Sequence, residues 1–62
     1  MKLEFDATAD TAYFEISSAE VATTKEIEPG IMADYDANGR IIGIEVLSVS
    51  KRATPTDLDT IA

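Results

Sequence analysis

The sequence of 62 residues contains no cysteine, no histidine and no tryptophan. Disulfide bonds are therefore excluded, and so are metal sites built on thiolate or imidazole ligands, which stabilise many very small domains. A chain of this length buries only about 60% of the surface that its unfolded form exposes. We expect limited stability for an isolated copy, and self-association is the remaining source of stabilisation.

Basic residues and long apolar runs are also scarce. Five Lys and Arg against twelve Asp and Glu give a net charge of 5 − 12 = −7, which opposes contact with nucleic-acid phosphates and anionic lipids. No apolar run approaches the roughly 18 residues of a membrane span, and the first residues show no signal-peptide pattern. We expect a folded cytoplasmic protein with no nucleic-acid partner and no membrane partner.

Alternating polar and apolar residues predict five strands, over residues 2–6, 11–16, 21–27, 31–35 and 41–47. Asp6 is expected to cap a short turn or helix after the first strand, and Lys25 favours an edge position for the third strand. The predicted fold class is mainly β, a small antiparallel meander of four to five strands. The predicted core consists of large apolar residues on alternating positions: Leu3, Phe5, Phe14, Ile16, Ile42, Ile44 and Val46.

Residues 30–47 read as one β-hairpin around the turn Asp36-Ala37-Asn38-Gly39. Gly39 occupies the position where such a turn needs a positive φ. The last predicted strand has apolar residues on both faces, a pattern typical of a central strand or of one covered by a partner chain. Gly43 would allow that partner a close approach.

We predict a single domain over residues 1–52 and a tail over residues 53–62. The tail either docks or frays. Its sequence is compatible with one helical turn capped by Thr56, which would be the short C-terminal helix of the fold. The residues predicted to contact a partner lie on the outer face of the last strand and in the tail: Ile41, Gly43, Leu47, Leu58 and Ile61.

Asp34, Asp36, Asn38 and Glu45 have the spacing of the ligands in an EF-hand calcium loop. The flanking sequence favours strands over the helices that an EF-hand needs, and a hairpin would place Glu45 across the ladder from the turn. We therefore predict a turn with no metal and no cofactor, and keep a calcium-binding loop as an alternative.

Catalytic groups are restricted to carboxylates, hydroxyls, Lys and Tyr. Asp6 and Asp10 could converge on one side of a turn, but capping and solvation are the simpler roles for them. The sequence therefore predicts a protein without catalytic residues, and a small carboxylate-based enzyme remains an alternative.

Two stretches carry a family resemblance: Tyr13 after the Ala9-Asp10 turn, and the pattern D-Y-D-x-x-G-R-I-x-G-I-E-V-L over residues 34–47. On these motifs, residues 1–52 resemble a family of short bacterial proteins, Domain of Unknown Function twenty-two eighty-three. The resemblance implies a small, mostly β domain with no established activity, cofactor or catalytic residue. Thr11-Ala12-Tyr13 stands where the family commonly has D-A-x-Y, which leaves the register of the turn open.

Our functional prediction is a non-enzymatic module that associates with itself, as a homo-oligomer, or with another protein. This prediction rests on the small size of the chain, on the absence of disulfides and of thiolate or imidazole metal sites, and on the apolar residues on both faces of the strand over residues 41–47. An alternative from the charge of −7 is an acidic neutraliser of a basic partner, either an antitoxin or a nucleic-acid mimic.

Overall fold

The structure is a computed structural model, and it describes residues 1–52. These residues form one five-stranded antiparallel sheet and a short helix, which confirms the predicted mainly β class. Three of the five predicted strands have the observed bounds, and the other two differ from them by one or two residues. The elements are β1 (Lys2–Asp6), β2 (Thr11–Glu15), β3 (Thr23–Glu28), β4 (Ile31–Tyr35), β5 (Ile41–Leu47) and α1 (Val49–Arg52).

The strand order is β1-β2-β5-β4-β3, so the prediction of a simple meander is wrong in its connectivity. A meander would place the polar β3 in the middle of the sheet and the apolar β5 at an edge. The observed order does the reverse, because a strand with apolar residues on both sides is better buried by two neighbours. The expected central position of β5 and edge position of β3 are both confirmed.

Short side-chain hydrogen bonds fix the turns between the strands. Asp6 Oδ1 accepts from the backbone N–H groups of Thr8 and Ala9, at 3.0 and 3.1 Å, as the capping prediction requires. In the β4–β5 turn, Gly39 has a φ of 78° and its N–H donates to the Asp36 carbonyl. The hairpin turn predicted from sequence is therefore confirmed.

The registers divide the sheet into two faces of different composition. One cross-strand row runs Leu3–Phe14–Ile44–Ala33 and ends at Lys25 on β3, and the next row runs Phe5–Ala12–Val46–Ile31. The alternate row on the opposite face runs Lys2–Glu15–Gly43–Asp34–Thr24. Most large apolar residues of the strands thus lie on the first face and most carboxylates on the second, where Met32 and Leu47 are apolar exceptions.

The predicted core residues share a face, but the prediction that they are buried is wrong for more than half of them. Within residues 1–52 the sheet has no second layer, so Leu3 is 58% exposed and Phe5 is 54% exposed. Phe14 and Ile16 are also exposed, at 37% and 36%. The buried apolar residues of this part of the chain are Ala33, Ile42 and Val49.

The helix α1 lies at the end of the sheet where two turns meet. The N–H groups of Val49 and Ser50 donate to the carbonyl and the carboxylate of Asp10, each at 3.0 Å, and the Ser50 hydroxyl donates to the same carboxylate at 2.7 Å. Arg52 donates to Glu28 Oε2 at 3.2 Å and to the carbonyl of Pro29. The helix therefore connects the β1–β2 turn to the β3–β4 turn.

This helix precedes the helical turn predicted in the tail, which lies outside the described residues, as does the docking or fraying expected of residues 53–62. Within residues 1–52, α1 is too short to cross a membrane.

Candidate functional site

One side of the sheet is apolar and has no second layer over it within residues 1–52; it is here called the apolar face. It is built by two cross-strand rows on the first four strands in spatial order: Leu3, Phe14, Ile44, Ala33, Phe5, Ala12, Val46 and Ile31. Alternation along each strand sends these side chains to the same side. Contiguous exposed apolar surface of this kind marks sites of association in soluble proteins.

The carboxylates of the strands lie on the other side, here called the polar face. Six acidic residues alternate with the apolar ones and share this side: Glu4, Asp6, Glu15, Glu26, Asp34 and Glu45. In the two rows of the apolar face and their extension onto β3, the charged residues are Lys25, opposite Ala33, and Glu28, opposite Ile31. The Lys25 ammonium lies 5.4 Å from the centroid of the Tyr35 ring, a cation–π distance at the rim of the sheet.

Tyr13 crosses the polar face from β2 over β5 to β4. Its ring lies against Gly43, where an added Cβ would sit 2.7 Å from Cζ and nearer still to the hydroxyl. The hydroxyl donates to Asp34 Oδ2 at 2.8 Å, and Thr24 donates to Oδ1 of the same carboxylate at 2.6 Å. Side chains from β2, β4 and β3 are thus joined by hydrogen bonds across Gly43 of β5. These bonds stabilise the sheet on its polar face.

The hydrogen bond to Asp34 raises the pKa of Tyr13 above its ordinary value. Partial burial and the negative charges of Asp34, Glu15 and Glu45 act in the same direction, because each disfavours the tyrosinate anion. The Tyr13 hydroxyl donates to Asp34 and its ring packs on Gly43, so Tyr13 has a structural role in this arrangement.

A shallow concavity of about 430 Å³ lies on the polar face beside Tyr13. Its lining includes Glu4, Asp6, Thr11 and Glu45, which come from β1, β2 and β5. Asp6 already accepts two backbone hydrogen bonds, and Glu4 pairs with Lys2 at 2.8 Å. The concavity is open and its lining, which also includes Phe5, is of mixed polarity, unlike the enclosed and mostly apolar clefts that hold small-molecule ligands.

The residues of the calcium-like motif do not converge on one point in the hairpin. Asp34 and Asp36 accept hydrogen bonds within the chain, and Glu45 lies farther along β5. Asp36 Oδ1 accepts from the N–H groups of Asn38 and Arg40, each at 2.9 Å, and the Asp34 carboxylate accepts from Tyr13 and Thr24. Glu45 lies two residues along β5 from Gly43, the partner of Asp34. Residues 1–52 contain no grouping of three or more acidic side chains that would hold a metal ion.

The structure also places the residues predicted to contact a partner. Gly43 and Leu47 belong to the polar-face side of β5, and the close approach expected at Gly43 is made within the chain by Tyr13. Ile41 is 40% exposed at the start of the same strand. Leu58 and Ile61 lie outside the described residues. The role of these five residues in association stays a prediction.

Sequence reasoning missed the apolar face as a surface. Leu3, Phe5 and Phe14 have the alternation of core residues, and nothing in that pattern states whether a second layer covers them. The available signal was length: the predicted strands account for most of residues 1–52, which leaves no segment in this part of the chain long enough to form a covering layer.

A family model described as a protein of unknown function, DUF2283, matches residues 2–50 of the chain. No curated protein and no solved structure matches it significantly.

Proposed function

Because the chain belongs to the DUF2283 family, whose description assigns no function, we propose from its structure that it is a non-enzymatic protein-interaction module. The surface through which it binds its partner is the apolar face. The observation that carries the proposal is the exposure of Leu3 and Phe5, at 58% and 54%. Leu3 lies in the row of Phe14 and Ile44, and Phe5 lies in the neighbouring row on the same face. Large apolar side chains exposed together contribute to stability only when another surface covers them.

The chemistry of the remaining surface supports a role without catalysis. The sequence has no His or Cys, so an imidazole general base and a thiolate nucleophile are both absent. The carboxylates of Asp6, Asp10, Asp34 and Asp36 are each engaged by turn, cap or hydroxyl hydrogen bonds. We propose the cytoplasm as the compartment of this module. Its sequence has no cysteine and so does not depend on an oxidising compartment for disulfide formation.

Native mass spectrometry of the chain, recovered gently from its own cells, tests the proposal. We expect a complex, either of several copies or with a second protein. The variant Phe5→Gln should lose that complex, whereas Glu4→Gln should retain it, because the two side chains lie on opposite faces of β1. A folded wild-type chain that is monomeric and free of partners at cellular concentration would contradict the proposed function.

A second candidate is the neutralisation of a basic partner, and the segregation of carboxylates favours it. Six acidic side chains on one face give a negative surface that is not mixed with apolar rows. Binding through this face should weaken as salt rises, because exposed charges are screened within about 10 Å at 0.1 M ionic strength. A complex that Glu4→Gln and Glu15→Gln weaken, while Phe5→Gln leaves it intact, would select this candidate over the first.

A further inference from the structure

We propose that the apolar face is covered by the apolar face of a second copy of this chain, which gives a two-layer β-sandwich. The inference deepens the proposed function and rests on it, since it names the occupant of the surface already described. Two antiparallel sheets that pack face to face lie about 10 Å apart, with their inner side chains interdigitated. In a two-fold dimer each copy contributes the same rows, so an apolar row meets an apolar row.

The distribution of charge favours a second copy as the occupant. Two copies that each carry −7 repel one another, so an interface between them must keep the carboxylates apart. Stacking by the apolar faces does so, because all six carboxylates of the polar face then point outward on both sides of the sandwich. The charged residues at the β3 ends of the two rows, Lys25 and Glu28, lie at the edge of the sheet, where both are exposed.

The composition of the tail disfavours it as the occupant. Residues 53–62 contain two large aliphatic side chains, Leu58 and Ile61, and two acidic ones, Asp57 and Asp59. The apolar face consists of eight residues over four strands, and all of them except Ala33 are at least partly exposed. Two aliphatic side chains cannot cover two rows of this length, and the adjacent carboxylates would be brought toward an apolar surface at a cost in desolvation.

The size of the face sets the expected strength of association. Four strands about 4.8 Å apart, each about five residues of 3.3 Å, give a plan area of roughly 320 Å² per copy. Two copies would bury about twice that plan area, which is in the range of weak and transient protein–protein contacts, below about 1,000 Å². We therefore expect a weak and reversible dimer.

Sedimentation velocity on the purified chain, over a concentration series, tests the inference. Wild type should pass from monomer to dimer, and raising the salt concentration should tighten the dimer because it screens the repulsion between two chains of −7. Phe5→Gln should raise the dissociation constant at least tenfold. Glu4→Gln is the matched control at the neighbouring position on the opposite face, and we expect it to change the dissociation constant less than twofold.

Isotope-filtered NMR on a mixture of labelled and unlabelled chains locates the interface. Contacts between copies should join the rings of Phe5 and Phe14 to the methyl groups of Ile44 and Val46. Contacts between the edge strands β1 or β3 of two copies would instead indicate a ten-stranded sheet, and that result would overturn the inference. The urea midpoint of wild type should also rise with chain concentration, a measurement that needs no variant to fold.

The outcomes separate this inference from the proposed function. A purified chain that stays monomeric, while the chain from cells is bound to a second protein through the apolar face, overturns the dimer and leaves the interaction module in place. A chain that is monomeric in both experiments overturns both.

Discussion

The ring of Tyr13 occupies the space above Gly43 that any other residue would fill with a Cβ. This relationship joins the outer hairpin β1–β2 to the centre of the sheet, because the Tyr13 hydroxyl continues past Gly43 to the carboxylate of Asp34 on β4. The glycine is required by a close approach and not by its backbone conformation, since its φ is not among the positive values.

Gly43→Ala should therefore destabilise the chain by about 1–3 kcal/mol, the usual range for overpacking. The new methyl group displaces the Tyr13 ring and lengthens its hydrogen bond to Asp34. Urea unfolding measures the change in the free energy of unfolding. In a Tyr13→Ala background the same substitution should cost close to nothing, and an undiminished cost there would show that the ring is not the cause.

The pKa of Tyr13 should be measurably high in the folded chain. Its pKa is raised above that of the unfolded chain, so the contribution of this group to stability is complete below about pH 10 and is lost as pH rises through the folded pKa. Ultraviolet absorbance of tyrosinate in a Tyr35→Phe variant follows Tyr13 alone. Adding Asp34→Asn should move the titration to lower pH, and an unmoved curve would remove Asp34 as the cause.

Asp10 combines two features that different substitutions separate. Its φ is 58°, and its carboxylate accepts from the N–H and the hydroxyl of Ser50. Asp10→Gly loses the hydrogen bonds from Ser50 to the carboxylate but adopts the positive φ freely. Asp10→Ala loses the same hydrogen bonds and adds backbone strain. We expect a loss of about 1 kcal/mol for the glycine variant and a larger loss for the alanine variant. Equal losses in thermal or urea unfolding would show that the backbone conformation costs nothing.

We expect Asp36 to stabilise the β4–β5 turn through a single side-chain oxygen that accepts two hydrogen bonds. Oδ1 accepts from the N–H groups of Asn38 and Arg40, so Asp36→Asn retains the acceptor and should be close to neutral. Asp36→Ala leaves both donors to solvent and should cost about 1 kcal/mol. Amide hydrogen exchange at Asn38 and Arg40 reports the effect locally. Equal behaviour of the two variants would mean that the charge, and not the oxygen, supports the turn.

The parts of the fold that sequence could predict are those that local chemistry determines. The bounds of β1, β4 and β5 follow from alternation, and the β4–β5 turn follows from Asp36 and Gly39. The strand order depends on how β2 meets β5, a pairing of residues 28 to 36 positions apart, from Glu15–Gly43 (43 − 15) to Thr11–Leu47 (47 − 11). No local pattern records that pairing.

The same limit applies to the candidate site. Gly43 could be identified as a place of close approach, but the identity of the approaching group needed the register that sets Tyr13 beside it. The burial of Val49 depends on α1, whose first N–H donates to the Asp10 carbonyl, 39 residues earlier (49 − 10). The exposure of Leu3 depends on a layer that residues 1–52 do not form.

The strand order also bears on how the chain folds. The β1–β2 hairpin and the β3–β4–β5 unit are each continuous in sequence, and their internal partners lie at most 15 positions apart, as in Ile31–Val46 (46 − 31). The β2–β5 ladder closes the largest loop between strands and joins the two units. Since the entropy of closing a loop must be lost before its contacts form, we expect the two units to form first and their docking along β2 and β5 to be the slow step of folding.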